Sequence, residues 1–365
     1  FQAEDGIRDF CLSRGLGDVY KRQNKKLILA KYPNGLTKLD DFLTQELDIP
    51  ELGNNELLIQ THYVGVDAAL RLIVRNSDEF LFRVMPGDII HGNIAGEVIA
   101  SNNNDFKIGE FVNGSLGVQS FSISDGSDLE KCDLNLSSLS TWLGGFGVSG
   151  LTAYFALFDV CKPQPGETVL ITGAAGAVGS MAGQFAKLAG ARVIGTTSSK
   201  EKCDWLVNEL GYDVAINYND ENWFEKLEAA APDRLNIIFD NTGGSVMNEA
   251  LKLIAMHGVV LLCGSTSQYY EDQMSGPSNY IWLGSMRARL QGFVIFDYAE
   301  RYEEARKKMS YWIDNGSLKL PEFICKGDID EFPNTFNKLF DGKNMGKMPV
   351  SYTHLRAHET GRNVV

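Results

Sequence analysis

The run Thr168-Val-Leu-Ile-Thr-Gly-Ala-Ala-Gly-Ala-Val-Gly-Ser180 constrains this chain more than any other. A short β-branched stretch ends in Gly173, Gly176 and Gly179, and an apolar-striped segment follows. That order reads as strand, tight turn and helix. In a dinucleotide-binding unit the first glycine permits the turn, and the second lets the backbone approach a pyrophosphate. The third lets the helix pack on the strand. The helix start then faces the phosphates with free N–H groups and the positive end of its dipole. Three glycines alone are equally well explained by close packing. Here Val178, Met181, Ala182, Phe185 and Ala189 keep a helical period, and Ala191-Arg-Val-Ile-Gly195 reads as the next strand. This context favours nucleotide binding.

Both ends of the chain are foreign in character. Ser13 to Gln23 and Val350 to Thr360 resemble the translation of a transposon-type sequencing-library adapter and of its reverse complement. Gln2 to Asp9 resembles the segment preceding that adapter. Residues 1–23 and 349–365 are therefore set aside as flanks before any fold reasoning. Without its native final strand, a chain ending at Met348 is expected to lose stability.

The chain carries 34 Lys and Arg against 47 Asp and Glu, a net charge of −13. An acidic surface of this kind argues against a nucleic-acid or anionic-membrane partner. No apolar run approaches the length of a membrane span. Between the flanks, Cys132, Cys161, Cys203, Cys263 and Cys325 are scattered, with no C-x-x-C pair. Such usage suits a reducing, cytoplasmic compartment.

From Lys26 to about Leu143 the chain alternates short strands with turns. Leu57–Val64 and Ile94–Ala100 have strand character, and Asn102–Asp105 and Asn113-Gly114 supply turn chemistry. From about Gly147 strands alternate with helices, at Val214–Ile216, Leu235–Asp240, Val259–Cys263 and Leu290–Phe296. That alternation predicts an α/β doubly wound parallel sheet. Glu300–Trp312 reads as an amphipathic helix with Glu303–Lys307 and Glu304–Lys308 pairs.

Several blocks carry a family resemblance: Gly150–Tyr154, Gly166–Val169, Gly173–Ser180, Glu201–Cys203, Phe239–Gly244, Cys263-Gly264, Ser267–Tyr269, Gln291–Phe293 and Gly342–Lys347. In order and content they resemble the medium-chain dehydrogenase/reductases, in the zinc-independent branch of prostaglandin, 2-alkenal and curcumin reductases. The resemblance implies a GroES-like β-barrel catalytic domain over 24–145 and a Rossmann domain over 146–317. A C-terminal return over 318–348 completes the catalytic domain. It further implies NADPH, reduction of the carbon–carbon double bond of α,β-unsaturated ketones or aldehydes, and a homodimer. Residues carried over as cofactor contacts are Thr152, Gly173, Gly176, Ala177, Val178, Gly179, Ser198, Lys202, Tyr218, Asn241, Cys263 and Gly264. Among them, Tyr218 is a phosphate contact and Asn241 a nicotinamide-side contact.

The end of the second Rossmann strand supports NADPH over NADH. An NAD site needs a carboxylate there for the ribose 2′-OH. Gly195-Thr-Thr-Ser-Ser199 has none, and Lys200 and Lys202 follow, which suits a 2′-phosphate. Glu201 stands at capping-box spacing from Ser198, so its carboxylate is expected on backbone N–H groups.

A catalytic zinc needs three protein ligands. The corresponding stretches read Val66-Asp67, His91-Gly92-Asn93 and Gly144-Gly145, and no metal is expected. Hydride transfer to the substrate's β-carbon then leaves negative charge on the carbonyl oxygen, and a proton reaches the α-carbon later. A fixed hydroxyl donor lowers that barrier, and Tyr269 is the candidate. The branch often carries D-P-Y-M-R-G where this chain reads Asp67-Ala-Ala-Leu-Arg-Leu72, so its active-site tyrosine is Ala69. A hydroxyl is lost there and the pocket is enlarged, while Asp67 and Arg71 remain as an expected structural pair. Quinone reduction, or silent NADPH binding without turnover, are the competing readings.

Overall fold

The computed structural model describes residues 23–76, 83–271, 273–342 and 344–352. Of the expected flanks, only Gln23 and residues 349–352 lie within these limits.

The N-terminal part is built from β1 (Gln23–Leu29), β2 (Phe42–Asp48), β3 (Leu57–Val66), β4 (Ile94–Ser101), β5 (Phe111–Gly114), β6 (Phe121–Ser124) and β7 (Leu129–Lys131). One short helix, α1 (Leu70–Ile73), follows β3. β1 and β2 pair antiparallel as a two-stranded ribbon. β3, β4, β5 and β7 run side by side, with β6 on β3.

The nucleotide unit opens with α2 (Val148–Phe155), which passes through a π-helical turn at Ala156–Cys161. β8 (Thr168–Ile171), α3 (Ala177–Leu188), β9 (Arg192–Thr197), α4 (Lys200–Leu210), β10 (Val214–Asn217), α5 (Trp223–Ala230) and β11 (Leu235–Asp240) come next. α6 (Gly244–Ala250), β12 (Ile254–Leu262), α7 (Ile281–Ser285), β13 (Arg289–Gly292) and α8 (Tyr302–Asp314) complete it. The parallel sheet has the order β10-β9-β8-β11-β12-β13.

Every residue of β8 is buried. Val169 and Ile171 face one core with Phe185 and Leu206, whereas Leu170 faces the other with Leu227 and Met247. Helices on both faces explain why this strand is continuously apolar rather than alternating. Each fully buried side chain of this size contributes about 1.5–3 kcal/mol. Sheet order reverses between β8 and β11. A doubly wound sheet opens its binding crevice at such a switch, beyond the carboxyl ends of the strands.

The expected strand over Leu290–Phe296 is shorter than the sequence pattern suggests. Pairing with β12 covers Arg289–Gly292 only, and Ile295–Arg301 turns into a 3-10 helix leading to α8. The Glu303–Lys307 and Glu304–Lys308 pairs form on α8 at 2.6 and 2.9 Å. Arg306 on the same helix joins the two halves of the molecule. Its Nε donates to Phe146 O at 2.9 Å, and its Nη2 meets the Glu130 carboxylate at 2.6 Å.

The chain then returns to the antiparallel sheet through β14 (Cys325–Gly327), α9 (Phe332–Lys338) and β15 (Met348–Tyr352). β15 lies between β14 and β3, parallel to the first and antiparallel to the second. Val350 and Tyr352, both from the adapter-like end, are buried in this core. The first residues of the segment expected to be a flank thus form a strand of this sheet. Alternation decides this: Val350 and Tyr352 point inward while Ser351 is half-buried.

Candidate dinucleotide and substrate cleft

Just beyond β8, Gly173 adopts a left-handed conformation with φ +58°. Its carbonyl accepts from Gly176 N at 3.0 Å, closing the turn. A Cβ on Gly179 would lie 2.4 Å from Gly173 O and 2.8 Å from Ala174 Cα. Only glycine lets α3 start this close to the strand. Tyr212, wholly buried, fixes the same point by donating from its hydroxyl to Gly179 O at 2.7 Å. Gly176 is the N-cap of α3, so the N–H groups of Ala177, Val178 and Gly179 open the helix without intrahelical acceptors. That is an anion-binding helix start.

On the neighbouring strand, β9 ends in the buried Thr196 and Thr197. The expected Ser198–Glu201 capping box does not form. α4 begins at Lys200, so Ser199 is its N-cap and accepts from Lys202 N at 3.3 Å. Ser198 is left beside the loop of Gly342, where a Cβ would come within 3.0 Å of Ser198 Oγ. Lys202 is only 7% exposed. Burial lowers its pKa from the ordinary lysine value, with Glu201 opposing. Among the described residues, no ion pair engages its ammonium, so a buried positive charge stands where an anion would satisfy it. Tyr218 follows β10 and donates from its backbone to Thr197 O at 2.9 Å, bringing it to the same end of the sheet.

Across the crevice, β11 ends in Asp240, which is 1% exposed. Its carboxylate accepts from Thr172 Oγ1 at 2.6 Å and from Gly243 N at 3.0 Å. Burial pushes its pKa up, and these donors oppose that shift. The bonds lock the turn that carries Asn241. Asn241 Nδ2 donates to Thr172 O at 2.8 Å, and Asn241 O accepts from Thr266 Oγ1 at 3.1 Å. Tyr269 is buried in the same loop system, with its hydroxyl 3.4 Å from Ser265 N. A Cβ on Gly264 would lie 3.1 Å from Asn241 O and 3.2 Å from Tyr269 Oη. Asn241, Gly264 and Tyr269 are thus brought together. Burial raises the Tyr269 pKa and keeps the hydroxyl protonated. Burial also pushes the Cys263 thiol up to about 12, so it is a thiol at neutral pH. Thr152 is buried on α2, one helix away against α3.

The expected Asp67–Arg71 pair is not made. Asp67 forms an ion pair with Lys347 instead. Arg71 turns inward, donating from Nη2 to Gly35 O at 2.9 Å, with its guanidinium 4.9 Å from the Tyr270 ring centroid. α1 is too short to align a carboxylate and a guanidinium by helical spacing. Ala69, at its start, is exposed, and the Arg71–Tyr270 contact places α1 beside the Tyr269 loop.

Sequence reasoning gave the segment Gly342–Lys347 no role beyond resemblance. Gly346 N donates to Ala175 O at 2.9 Å and forms an isolated bridge with Gly176. The return thereby touches the glycine-rich loop itself. The signal was the pair of glycines: Gly342 and Gly346 both take positive φ, +66° and +70°.

At the carboxyl ends of the parallel strands the structure thus gathers a glycine-rich helix start, a buried lysine and a buried tyrosine hydroxyl. Residues 25–132 match the family described as the N-terminal domain of oxidoreductase, and residues 177–310 that described as zinc-binding dehydrogenase. The Bacillus subtilis protein YfmJ is 37% identical over 330 residues, 89% of this chain and 97% of its own. The NADPH-dependent curcumin reductase of Escherichia coli is 32% identical over 336 residues, 90% of this chain and 97% of its own. CurA from Vibrio vulnificus, solved in complex with NADPH, superimposes with a TM-score of 0.86 at 32% identity, covering 90% of this chain and 99% of its own. This chain belongs to the medium-chain dehydrogenase/reductase superfamily, in the branch of prostaglandin, 2-alkenal and curcumin reductases.

The donor set does not fit the zinc that one of these family descriptions mentions. Among the described residues, no group of three His, Cys, Asp or Glu is placed to hold a metal ion.

Proposed function

We infer that this chain is an NADPH-dependent reductase of the carbon–carbon double bond in α,β-unsaturated ketones and aldehydes. The observation that carries this reading is the buried, carboxylate-free Lys202 at one end of the cleft, with the protonated Tyr269 hydroxyl at the other. Lys202, Ser198 and Tyr218 would hold the 2′-phosphate by charge and hydrogen bonding. The opening N–H groups of α3 would hold the pyrophosphate. Asn241, fixed by Thr172 and Asp240, and Gly264 would position the nicotinamide, with Thr152 and Cys263 lining its pocket. The bound cofactor supplies a hydride to the β-carbon.

Tyr269 then donates a hydrogen bond to the substrate carbonyl oxygen, where negative charge grows. The hydroxyl sits in a buried loop, accepting from Ser265 N, so little reorganisation is required as charge develops. Ala69 leaves room on the α1 side of the cleft for a bulky acceptor. The test is product analysis with NADPH deuterated at C4. Deuterium at the β-carbon of a saturated carbonyl product is expected. Deuterium on the carbonyl carbon of an allylic alcohol would refute the reading.

The same reading includes a homodimer. β13 is an open sheet edge, and Ile281, Leu290, Val294 and Phe296 are exposed along or beside it, a surface that asks for a second strand. Light scattering should give twice the 40.3 kDa chain mass; a monomer at micromolar concentration would contradict this. Five unpaired cysteines among the described residues suit a cytoplasmic location. No helix among the described residues is long and apolar enough to cross a membrane.

A further inference from the structure

Three segments far apart in the chain meet around one buried lysine, Lys347. Two of the stretches that correspond to metal-ligand regions border Lys347. A Cβ on Gly144 would lie 3.2 Å from Lys347 Cβ, and a Cβ on Gly65 would lie 3.6 Å from Lys347 Nζ. Nζ is held by Asp67 Oδ1, and the Lys347 side chain is only 3% exposed. The third region is tied in by charge. Burial lowers the His91 pKa, and the Asp67 carboxylate acts against that. A second acid, Glu322, flanks the lysine through a backbone bridge. One of its oxygens accepts from Ser140 Oγ at 2.7 Å, and the other is buried without a partner. The positive charge at this place is therefore an ammonium.

The location of Lys347 gives that charge a consequence. Its neighbour Gly346 is the residue that reaches Ala175 O and Gly176 in the phosphate loop. Gly346 has no freedom to move independently. Its φ is +70°, and a Cβ there would lie 2.3 Å from Pro321 O. Lys347 N donates to Pro321 O at 3.0 Å, and Phe323 N donates to Lys347 O at 2.7 Å. The ion pair to Asp67 and the contact with the phosphate loop thus stand on adjacent residues.

We propose that Lys347 is a positioning residue of the dinucleotide cleft: its ammonium, bound by Asp67, holds Gly346 against the phosphate loop. The proposal rests on the NADPH reading for one of its two readouts. β15 pairs with β3 through its backbone, which substitution of the Lys347 side chain leaves in place to be tested separately from the latch.

The experiment compares the full chain with K347M, K347R, D67N and the K347M/D67N pair. The first readout needs no cofactor: hydrogen exchange of peptides spanning residues 173–180. Exchange should quicken in K347M and D67N and return toward the original rate in K347R. The second is NADPH affinity by fluorescence, which should fall about tenfold in K347M and in D67N and no further in the double variant, as for two members of one interaction. Exchange and affinity that match the original chain in K347M would overturn the proposal, as would losses that multiply in the double variant. If K347M fails to fold, D67N and K347R decide, because Asp67 is 36% exposed at its side chain and its amide keeps the shape. An original chain that binds no NADPH would strike the functional reading, while the exchange rates would still judge the latch.

Discussion

The two large sheets are assembled in opposite ways. The parallel sheet draws its strands from residues 168–292, each following the last with a helix or loop between. The other large sheet joins β3 and β4 to β14 and β15, which lie more than two hundred residues further on. The first places the phosphate cradle by local rules. The second is completed only when the return arrives. The glycine-rich turn and Lys202 thus lie in one contiguous stretch, whereas the surroundings of Lys347 exist only in the folded whole.

The largest test of the local half is Gly179→Val. With glycine's missing Cβ already 2.4 Å from Gly173 O, a larger side chain must push α3 off β8. Overpacking of this kind costs about 1–3 kcal/mol or more, and NADPH affinity should fall by over about a hundredfold (about 2.7 kcal/mol). Affinity within tenfold of the original chain, measured by fluorescence titration, would break the view that this turn is the site.

The non-local half is tested by ending the chain at Met348. Val350 and Tyr352 leave the core, and β3 and β14 lose their shared neighbour. Two buried side chains at about 1.5–3 kcal/mol each give a loss of about 3–6 kcal/mol, seen as a lower melting temperature. An unchanged melting temperature would show that the adapter-like strand contributes nothing.

Tyr269→Phe separates binding from chemistry. Loss of one donor to the developing oxyanion should lower kcat by about a hundredfold and leave NADPH affinity unchanged. Because burial raises this tyrosine's pKa, the hydroxyl stays protonated through neutral and moderately alkaline pH. Turnover limited by this group should hold level until pH passes above its ordinary value of about 10. A decline in stopped-flow rate centred near neutrality would contradict the assignment.

Lys202→Met is the mildest change. Removing a charged hydrogen bond worth about 1.5–3 kcal/mol should weaken NADPH binding about ten- to a hundredfold, with NADH affinity unaltered. The cofactor-free protein should not be destabilised. Burial lowers the folded-state pKa of this lysine, so its charged form is a cost to folding below that pKa, relieved only as pH rises through it. Equal losses for NADPH and NADH would break the 2′-phosphate assignment.

What the sequence disclosed follows the same division. The glycine triplet, the absence of an acid at Gly195–Ser199 and the α/β alternation are local facts, and the structure builds its nucleotide unit on them. Capping was legible only to within one residue, because Ser198 and Ser199 both suit the role and the helix starts one position later. Asp67 and Arg71 sit at helical spacing, yet α1 ends after Ile73 and tertiary contacts claim each of them separately. Lys347 and Glu322 stood far from Asp67 in the chain, and no periodicity could have joined them. The final strand shows the converse. The segment expected to be a flank, with Val350 and Tyr352 at alternate positions, takes the place between β14 and β3, which asks for little more than the right period.

The most direct measurement is cofactor oxidation by the chain freed of both flanks but given a native-length final strand. NADPH and NADH are each followed with 2-nonenal and with a benzylidene ketone, and products are identified. The account predicts acceptor-dependent loss of NADPH, little loss of NADH, and a saturated ketone or aldehyde as product. Folded protein that binds NADPH yet reduces neither acceptor, or that yields an allylic alcohol, would contradict it.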